Sequence, residues 1–324
     1  MLKSDTVAQT VEALQEPAAV AFAQACLAAS YARHCVGHVA TVRGMVAEVF
    51  HCLTAAARQP ETLLDEAQRL SLTLFQRDDP TYWFTAAYHR YKTGVRQEQD
   101  FHNLQRVLTG QRVLDFGCGS GLTAVRLEQG GYDVATADVL DYRAPAARHL
   151  PFTPLRSPAA LPFADGSFDA AVALCVLHHI DGDRIPVILS ELARVARQVV
   201  VVEDVYGVEQ ATLDLADCTI DHPSDSAAVE AVLRKYMALS RRQQYLALVL
   251  LDFIPNIVVL GIADMNMPYQ FKTLSEWRRL LSASGLHFAH VHLCGFERYR
   301  MHPSCRAWLA CVSRRQPPAG ESGR

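Results

Sequence analysis

The chain has 324 residues and a formal net charge of −3, with half of its residues hydrophobic and 20% charged. That balance excludes a disordered chain. Without any Lys/Arg run beyond pairs such as Arg241-Arg242 and Arg314-Arg315, it also gives no electrostatic basis for nucleic-acid binding. Nine cysteines without a CxxC pair argue against a zinc framework or a secreted disulfide scaffold, and the start Met1-Leu2-Lys3-Ser4-Asp5 lacks an apolar signal core, so a cytoplasmic location is expected.

From residue 5 to about residue 105 the pattern is helical, without a clear strand. Val7, Val11 and Leu14 together with the alanine-rich stretch 18–29 read as one helix, and Val36 to Ala57 as another. Pro60-Glu61-Thr62 opens a third, running to about Phe75. Asp78-Asp79-Pro80 places an acid at a cap and a proline in the first turn, which starts a further helix carrying Tyr82, Trp83, Phe84, Tyr88 and Tyr91. The polar stretch Arg96 to Asn103 then reads as a join. Residues 1–105 are therefore expected to be a helical N-terminal region that caps a substrate. His34 and His38 stand one helical turn apart, a spacing common on ordinary helices, and are not taken as metal ligands.

The character changes at Val113-Leu114-Asp115-Phe116-Gly117-Cys118-Gly119-Ser120-Gly121. An apolar strand runs into an acid and then into glycines at alternate positions, and a helical pattern, Leu122 to Gln129, follows directly. Glycines at such a strand-turn-helix allow positive φ and a close approach of backbone to a nucleotide. The dinucleotide fingerprint would need glycine where Leu122 stands. A carboxylate at Asp115 would repel a pyrophosphate but attract an ammonium or sulfonium group, which favours S-adenosylmethionine (SAM). The next strand, Tyr132 to Asp138, ends in an acid roughly 20 residues past the glycines, where it can accept both hydroxyls of a ribose.

Further on, Leu161-Pro162-Phe163-Ala164-Asp165-Gly166-Ser167-Phe168-Asp169 makes a turn and enters a buried strand, Phe168 to Cys175, followed by Val176-Leu177-His178-His179-Ile180. Arg184 to Val195 reads as a helix and Gln198 to Asp204 as a strand, so 106–313 alternates strand and helix as a parallel sheet requires. Tyr206 to Tyr269 is long for a simple connection, and 206–270 is read as a helical insertion over the sheet's ligand edge. Within it, Tyr245 to Ala263 is almost apolar enough for a membrane span. Asp252 and Pro255 interrupt it, so it is read as a buried helix, a turn at Pro255 and a second short helix. Thr273 and Glu276 form a capping arrangement for a helix ending at Gly285. Leu286 to Leu293 and Arg306 to Val312 follow as strands. His290 and His292 share a strand face but are read as surface, and no metal site is expected. The tail 314–324, rich in Pro, Gly and polar residues, is expected to be disordered.

The glycine loop and the LPF…SFD…LHHI run resemble the class I SAM-dependent methyltransferases, specifically the type 11-like group that includes small-molecule methyltransferases. The likeness covers about residues 111 to 205. It implies an α/β, Rossmann-like, doubly wound and mostly parallel sheet with an antiparallel edge hairpin, here with the helical extension and insertion added. The cofactor-binding set it implies is Asp115, Gly117, Cys118, Gly119, Gly121, Asp138, Val139, Ser157, Ala159 and Cys175. In related enzymes aromatics from an upstream helix close over the sulfonium, a role that falls here to Tyr88 and Tyr91. Members of the group commonly carry an acid before LPF for the adenine amino group; Ser157 stands there instead, a weaker acceptor.

Methyl transfer needs alignment, exclusion of water and, for some acceptors, removal of a proton, so no universal catalytic residue is expected. His178, Glu203 and Tyr206 are the candidates at the ligand edge, with His178 as a general base. The expected function is in-line methyl transfer from SAM to a small, rather apolar metabolite, in the manner of a secondary-metabolism enzyme. Two alternatives stand beside it: the same fold cyclising SAM with release of methylthioadenosine, and a non-catalytic protein that binds SAM or S-adenosylhomocysteine (SAH). The expected partner is the small-molecule substrate, with neither nucleic acid nor membrane and a homodimer left open.

Overall fold

The computed structural model describes residues 3–76, 81–157, 160–209, 218–219, 226–262 and 264–313. Asp78-Asp79-Pro80, Ala159 and the tail 314–324 lie outside the described residues.

Proline divides the first expected helix in two. Helix α1 (Ser4–Gln15) stops at Glu16, whose φ of −96° and ψ of 103° are the extended geometry that a following proline imposes. Pro17 then opens α2 (Pro17–His34), in the first turn, where its missing N–H costs nothing. Helix α3 (Val39–Ala56) buries Val42, Met45, Val46, Val49, Phe50 and Leu53, a stripe at helical spacing. Among the described residues α3 alone is long and apolar enough to cross a membrane by length and composition.

Helix α4 (Leu63–Leu70) passes into a π-helical turn, Ser71–Phe75. Helix α5 (Trp83–Arg90) continues through a second such turn, Tyr91–Val95, into α6 (Arg96–Val107). The polar join expected at Arg96 to Asn103 is thus helix. Its buried side comprises Asp100 and Asn103 as well as Phe101 and Leu104, so the apolar period is half erased.

Eight strands form one sheet in the order β3-β2-β1-β4-β5-β8-β7-β6. They are β1 (Arg112–Phe116), β2 (Asp133–Asp138), β3 (Phe152–Pro154), β4 (Phe168–Leu174), β5 (Ala196–Asp204), β6 (Cys218–Thr219), β7 (Leu286–Gly295) and β8 (Arg306–Ser313). Strands β1 to β5 are mutually parallel, whereas β8 runs antiparallel to both β5 and β7, giving the expected hairpin. The two-residue β6 pairs parallel with β7 at the rim. The strand order reverses between β1 and β4, the switch point at which open α/β sheets bind ligands.

Strand alternation divides the core. Leu114, Phe116, Val199 and Val201 join an apolar cluster that runs unbroken from the N-terminal helices through α8 (Ile185–Val195) into the insertion. Val113, Val200 and Val202 face the other way, against Phe101 and Leu104 of α6 and Leu127 of α7 (Leu122–Gln129).

The insertion contributes α9 (Ser226–Met237) and α10 (Arg241–Phe253), the latter started by a capping box of Ser240 and Gln243. The expected turn at Pro255 is absent. Instead α10 passes into a π-helical stretch, Ile254–Val259, with Leu260 N–H donating to the Pro255 carbonyl at 3.0 Å. The wider helical turn lets the chain continue through a residue that cannot donate. Helix α10 packs on α1 and α2, and the buried apolar residues of the stretch belong to the main core. Helix α11 (Leu274–Ala283) has the anticipated Thr273–Glu276 capping box and is followed by Gly285 at φ +82°.

Candidate functional site

The loop after β1 is built around left-handed backbone. Gly117, Gly119 and Gly121 have φ of 68°, 51° and 67°. A Cβ at Gly117 would lie 2.4 Å from Val176, so this glycine lets the β1 loop press against the loop after β4. A Cβ at Gly121 would lie 2.8 Å from Ala147. Above Gly119 there is open space: nothing approaches within 4 Å of where a Cβ would stand. That opening sits where a ligand would meet the backbone.

Two carboxylates flank it. Asp138, at the end of β2, accepts the Gly119 N–H at 2.9 Å and the Val139 N–H at 2.7 Å. Burial pushes its pKa up, against the pull of those backbone donors. Val139 and Leu140 beside it expose apolar side chains that a purine could cover. Asp115 is 3% exposed, and its pKa is pushed up to about 7, first by burial and then by the charge of Asp138; Arg96 opposes both. A buried carboxylate of that kind gains by pairing with an incoming ammonium. The glycine opening, the strand-end acid Asp138 and the buried acid Asp115 together fit SAM. The sulfonium ligand supplies an activated methyl group when bound.

The other expected cofactor residues divide. Cys118 and Cys175 lie in the loops after β1 and β4. Burial raises both thiols, to about 12 and about 11, which makes them poor nucleophiles. Cys175 also adopts a left-handed φ of 51°, which turns the chain sharply at the sheet's edge. Ser157 is exposed beyond β3.

Tyr88 and Tyr91 come together on His302, with ring centroids 5.5 Å and 6.4 Å from it. Tyr31 meets the same imidazole edge-on at 6.0 Å, and His34 meets Tyr91 at 5.1 Å. The Tyr31 hydroxyl, His34 Nε2 and His302 Nε2 are buried without a hydrogen-bond partner. His302 is driven down to about 3, above all by burial, so its ring is neutral. Arg96 borders this aromatic cluster and lies within electrostatic reach of Tyr91, Cys175 and Asp115. The polar stretch at Arg96 thus faces the site.

At the far side of the edge, Glu203 accepts the Leu177 N–H at 2.7 Å through Oε1 and meets His178 Nδ1 at 2.5 Å through Oε2. His178 Nε2 lies 3.8 Å from Asp252, and its ring stacks on Phe271. Burial would lower the pKa of His178, yet Glu203 and Asp252 raise it well above the ordinary value. His179 is lowered to about 4, by burial and by the charge of His178. A ring 3% exposed and set between two carboxylates is poorly placed to take a proton from a substrate, so the expected role of His178 as general base does not follow from this geometry. Tyr206 stands apart: it packs edge-on against Tyr245 at 5.3 Å, under the Arg241 guanidinium.

Three contributors escaped the sequence reading. Asp252 was noticed only as a break in an apolar run, Arg96 only as part of a polar join, and His302 carried no local motif. Each meets its partners across long sequence separations, so no spacing rule could have found it.

Residues 114–202 match the family model described as a methyltransferase domain. The fold is similar to those of solved methyltransferases. One is a SAM-dependent methyltransferase from Methanosarcina mazei (17% identity, TM-score 0.41, covering 65% of this chain and 96% of that one). Another is a possible histamine N-methyltransferase from Thermotoga maritima (14% identity, TM-score 0.44, covering 71% and 96%). A third is a magnesium protoporphyrin IX methyltransferase from Synechocystis with bound SAH (16% identity, TM-score 0.42, covering 73% and 90%). The matched segment carries the glycine loop and both acids.

Proposed function

We propose that the protein transfers the methyl group of SAM to a small, largely apolar molecule held beneath the N-terminal helices. The observation that carries this reading is the aromatic cluster of Tyr31, Tyr88, Tyr91 and His302, in which the Tyr31 hydroxyl and His302 Nε2 are buried without a hydrogen-bond partner; Tyr88, Tyr91 and His302 lie within electrostatic reach of Arg96, as does the buried Asp115. Apolar ring faces with a few unsatisfied polar atoms are what a small-molecule pocket needs.

Each group then has a stated task. Asp138 accepts the ribose hydroxyls, and Asp115 pairs with the ligand's ammonium. Gly119 leaves room for the ligand against the backbone. Tyr88 and Tyr91 offer π-faces on the sulfonium side. The N-terminal helices keep water out through their contacts with the edge: Thr6 donates to the Met267 carbonyl at 2.8 Å, Thr10 bonds to the Tyr269 hydroxyl at 2.8 Å, and Ser30 bonds to the Arg300 carbonyl at 2.5 Å. The pair His178–Glu203 fixes the loop after β4, and Tyr206 remains a hydroxyl at the end of β5. The negative net charge and the lack of a basic run fit a small-molecule substrate rather than a nucleic acid.

Incubation of the purified protein with SAM tests the reading. SAH formed only when an acceptor is present supports methyl transfer. Methylthioadenosine released from SAM alone would establish the cyclisation instead, and binding without turnover across an acceptor panel would mark a non-catalytic binder.

A further inference from the structure

We infer that His178, His179 and Asp252 form a binding site for one divalent transition-metal ion of the zinc class, at the C-terminal edge of the sheet. The inference does not rest on the methyl-transfer reading.

The donors converge from two distant segments. His178 Nε2 and His179 Nε2 lie 3.8 Å and 3.9 Å from Asp252 Oδ1, and one ligand atom from each of the three residues falls within 4.8 Å of the others. Two ligands roughly 2.1 Å from a tetrahedral ion stand about 3.4 Å apart. The two histidine–aspartate separations are within about half an ångström of that value, and side-chain rotation of the two imidazoles would close the site.

The surroundings orient the rings for ligation. His179 Nδ1 lies 3.1 Å from the Asn266 carbonyl, which can only accept, so Nδ1 carries the proton and Nε2 of the neutral ring presents its lone pair. His178 Nδ1 is likewise held by the Glu203 carboxylate, which leaves Nε2 on the Asp252 side. A carboxylate or carbonyl behind each imidazole is the usual outer support of a metal-binding histidine. Asp252 is 9% exposed, and its Oδ2 is buried with no hydrogen-bond partner, while Asn256 holds Oδ1 at 2.7 Å. A buried carboxylate oxygen left unpaired is costly unless something else takes it.

Charge points the same way. Glu203 and Asp252 bring two buried carboxylates to these rings, 2.5 Å and 3.8 Å from His178, and a dication would balance them. Lys272 is a further cation acting on Glu203. Two nitrogens and one carboxylate suit zinc and its first-row neighbours better than calcium or magnesium, and three protein ligands leave one position open. The His179 side chain is 15% exposed, which gives an ion a way in.

The test uses full-length protein stripped of metal and titrated with cobalt(II), with zinc(II) as competitor. The expected result is one equivalent of cobalt with ligand-field absorption, displaced by zinc. Nitrogen-15 spectra of the wild type should show zinc shifting Nε2 of two histidines, which needs no variant. His179→Ala and Asp252→Asn should each weaken uptake by at least about 100-fold, and Glu203→Gln by about 10–100-fold, the usual effect of losing an outer-shell partner. His290→Ala, on β7, should leave it unchanged. No stoichiometric uptake by the wild type would overturn the site, and would leave a proton as what balances the two carboxylates. Uptake that survives both ligand substitutions, or that is lost in His290→Ala, would overturn it equally.

Discussion

Asp138 already anchors the glycine loop through the Gly119 and Val139 amides, and its remaining lone pairs are what a ribose would use. Asp138→Ala should therefore weaken SAH binding by about 1.5–3 kcal/mol, the scale of hydrogen bonds to a charged group. An unchanged dissociation constant in calorimetry would remove it from the ribose role. Asp115 gives a second expectation, in pH. Its pKa near 7 means that the unliganded site is protonated below that value, whereas an ammonium ligand binds the ionised form. Affinity for SAH should thus fall as pH drops below about 7, by at most tenfold per unit, and fall again on the alkaline side where the ligand's own amine loses its proton. The same raised pKa makes the ionised carboxyl a cost to the unliganded fold. That cost grows as pH rises from roughly 4, the unfolded value, to about 7. Asp115→Asn should flatten the acid limb. A limb that persists in that variant would assign it to another group. Both acids were legible in the sequence because they end neighbouring strands at short, regular distances from the glycines. Asp252, His302 and Arg96 were not, because their meaning lies in partners brought from elsewhere in the chain.

Between elements, charge fastens α6 to the loop that joins β7 and β8. Arg300, 4% exposed, donates to Asp100 at 2.5 Å and to Glu297 at 2.8 Å, and Tyr299 donates to Asp100 at 3.0 Å. Asn103 reaches Glu297 at 3.3 Å. Removing the arginine leaves two buried carboxylates short of a counter-charge, so Arg300→Met should cost roughly 3–5 kcal/mol of stability, the usual penalty for breaking a buried pair. Denaturant unfolding measures it; a loss below about 1 kcal/mol would mean that Arg96 alone balances Asp100. The same network explains why α6 was misread. A helix whose buried face carries Asp100 and Asn103 has no clean apolar period, while β1, β4 and β5, buried on both faces, announce themselves as continuous Val/Leu/Ala runs. Strand β3 escaped because three residues ending in a proline offer no period at all, and Pro255 suggested a turn because a π-helical bypass leaves no mark in composition.

At the scale of the whole molecule, the question is whether the N-terminal helices are a detachable cap or part of the fold. The sequence divided the chain at about residue 105 because helical periodicity gave way to alternation there. Packing does not respect that line. Ala13, Leu27, Val46 and Leu63 from the helices share one apolar cluster with Leu114, Phe116 and Val201 of the sheet and with Leu246, Phe253 and Val258 of the insertion. Polar ties cross it as well: Thr6 and Thr10 bond to the segment before α11, and Lys3 pairs with Asp181 just past the histidines. The exposed Lys3 pair adds little, but burying the shared apolar surface is worth about 25 cal/mol for each square ångström removed from water. Opening α1 to α4 alone would forfeit that term for the sheet and insertion too. Native-state hydrogen exchange should accordingly show the buried amides of α2 and α3 exchanging with the same free energy, and the same denaturant dependence, as those of β4 and β5. Helices that exchange through a lower-energy opening while the sheet stays protected would instead make residues 1–105 a separable cap. SAH binding should then slow their exchange if the cap closes over the ligand, and leave it unchanged if it does not.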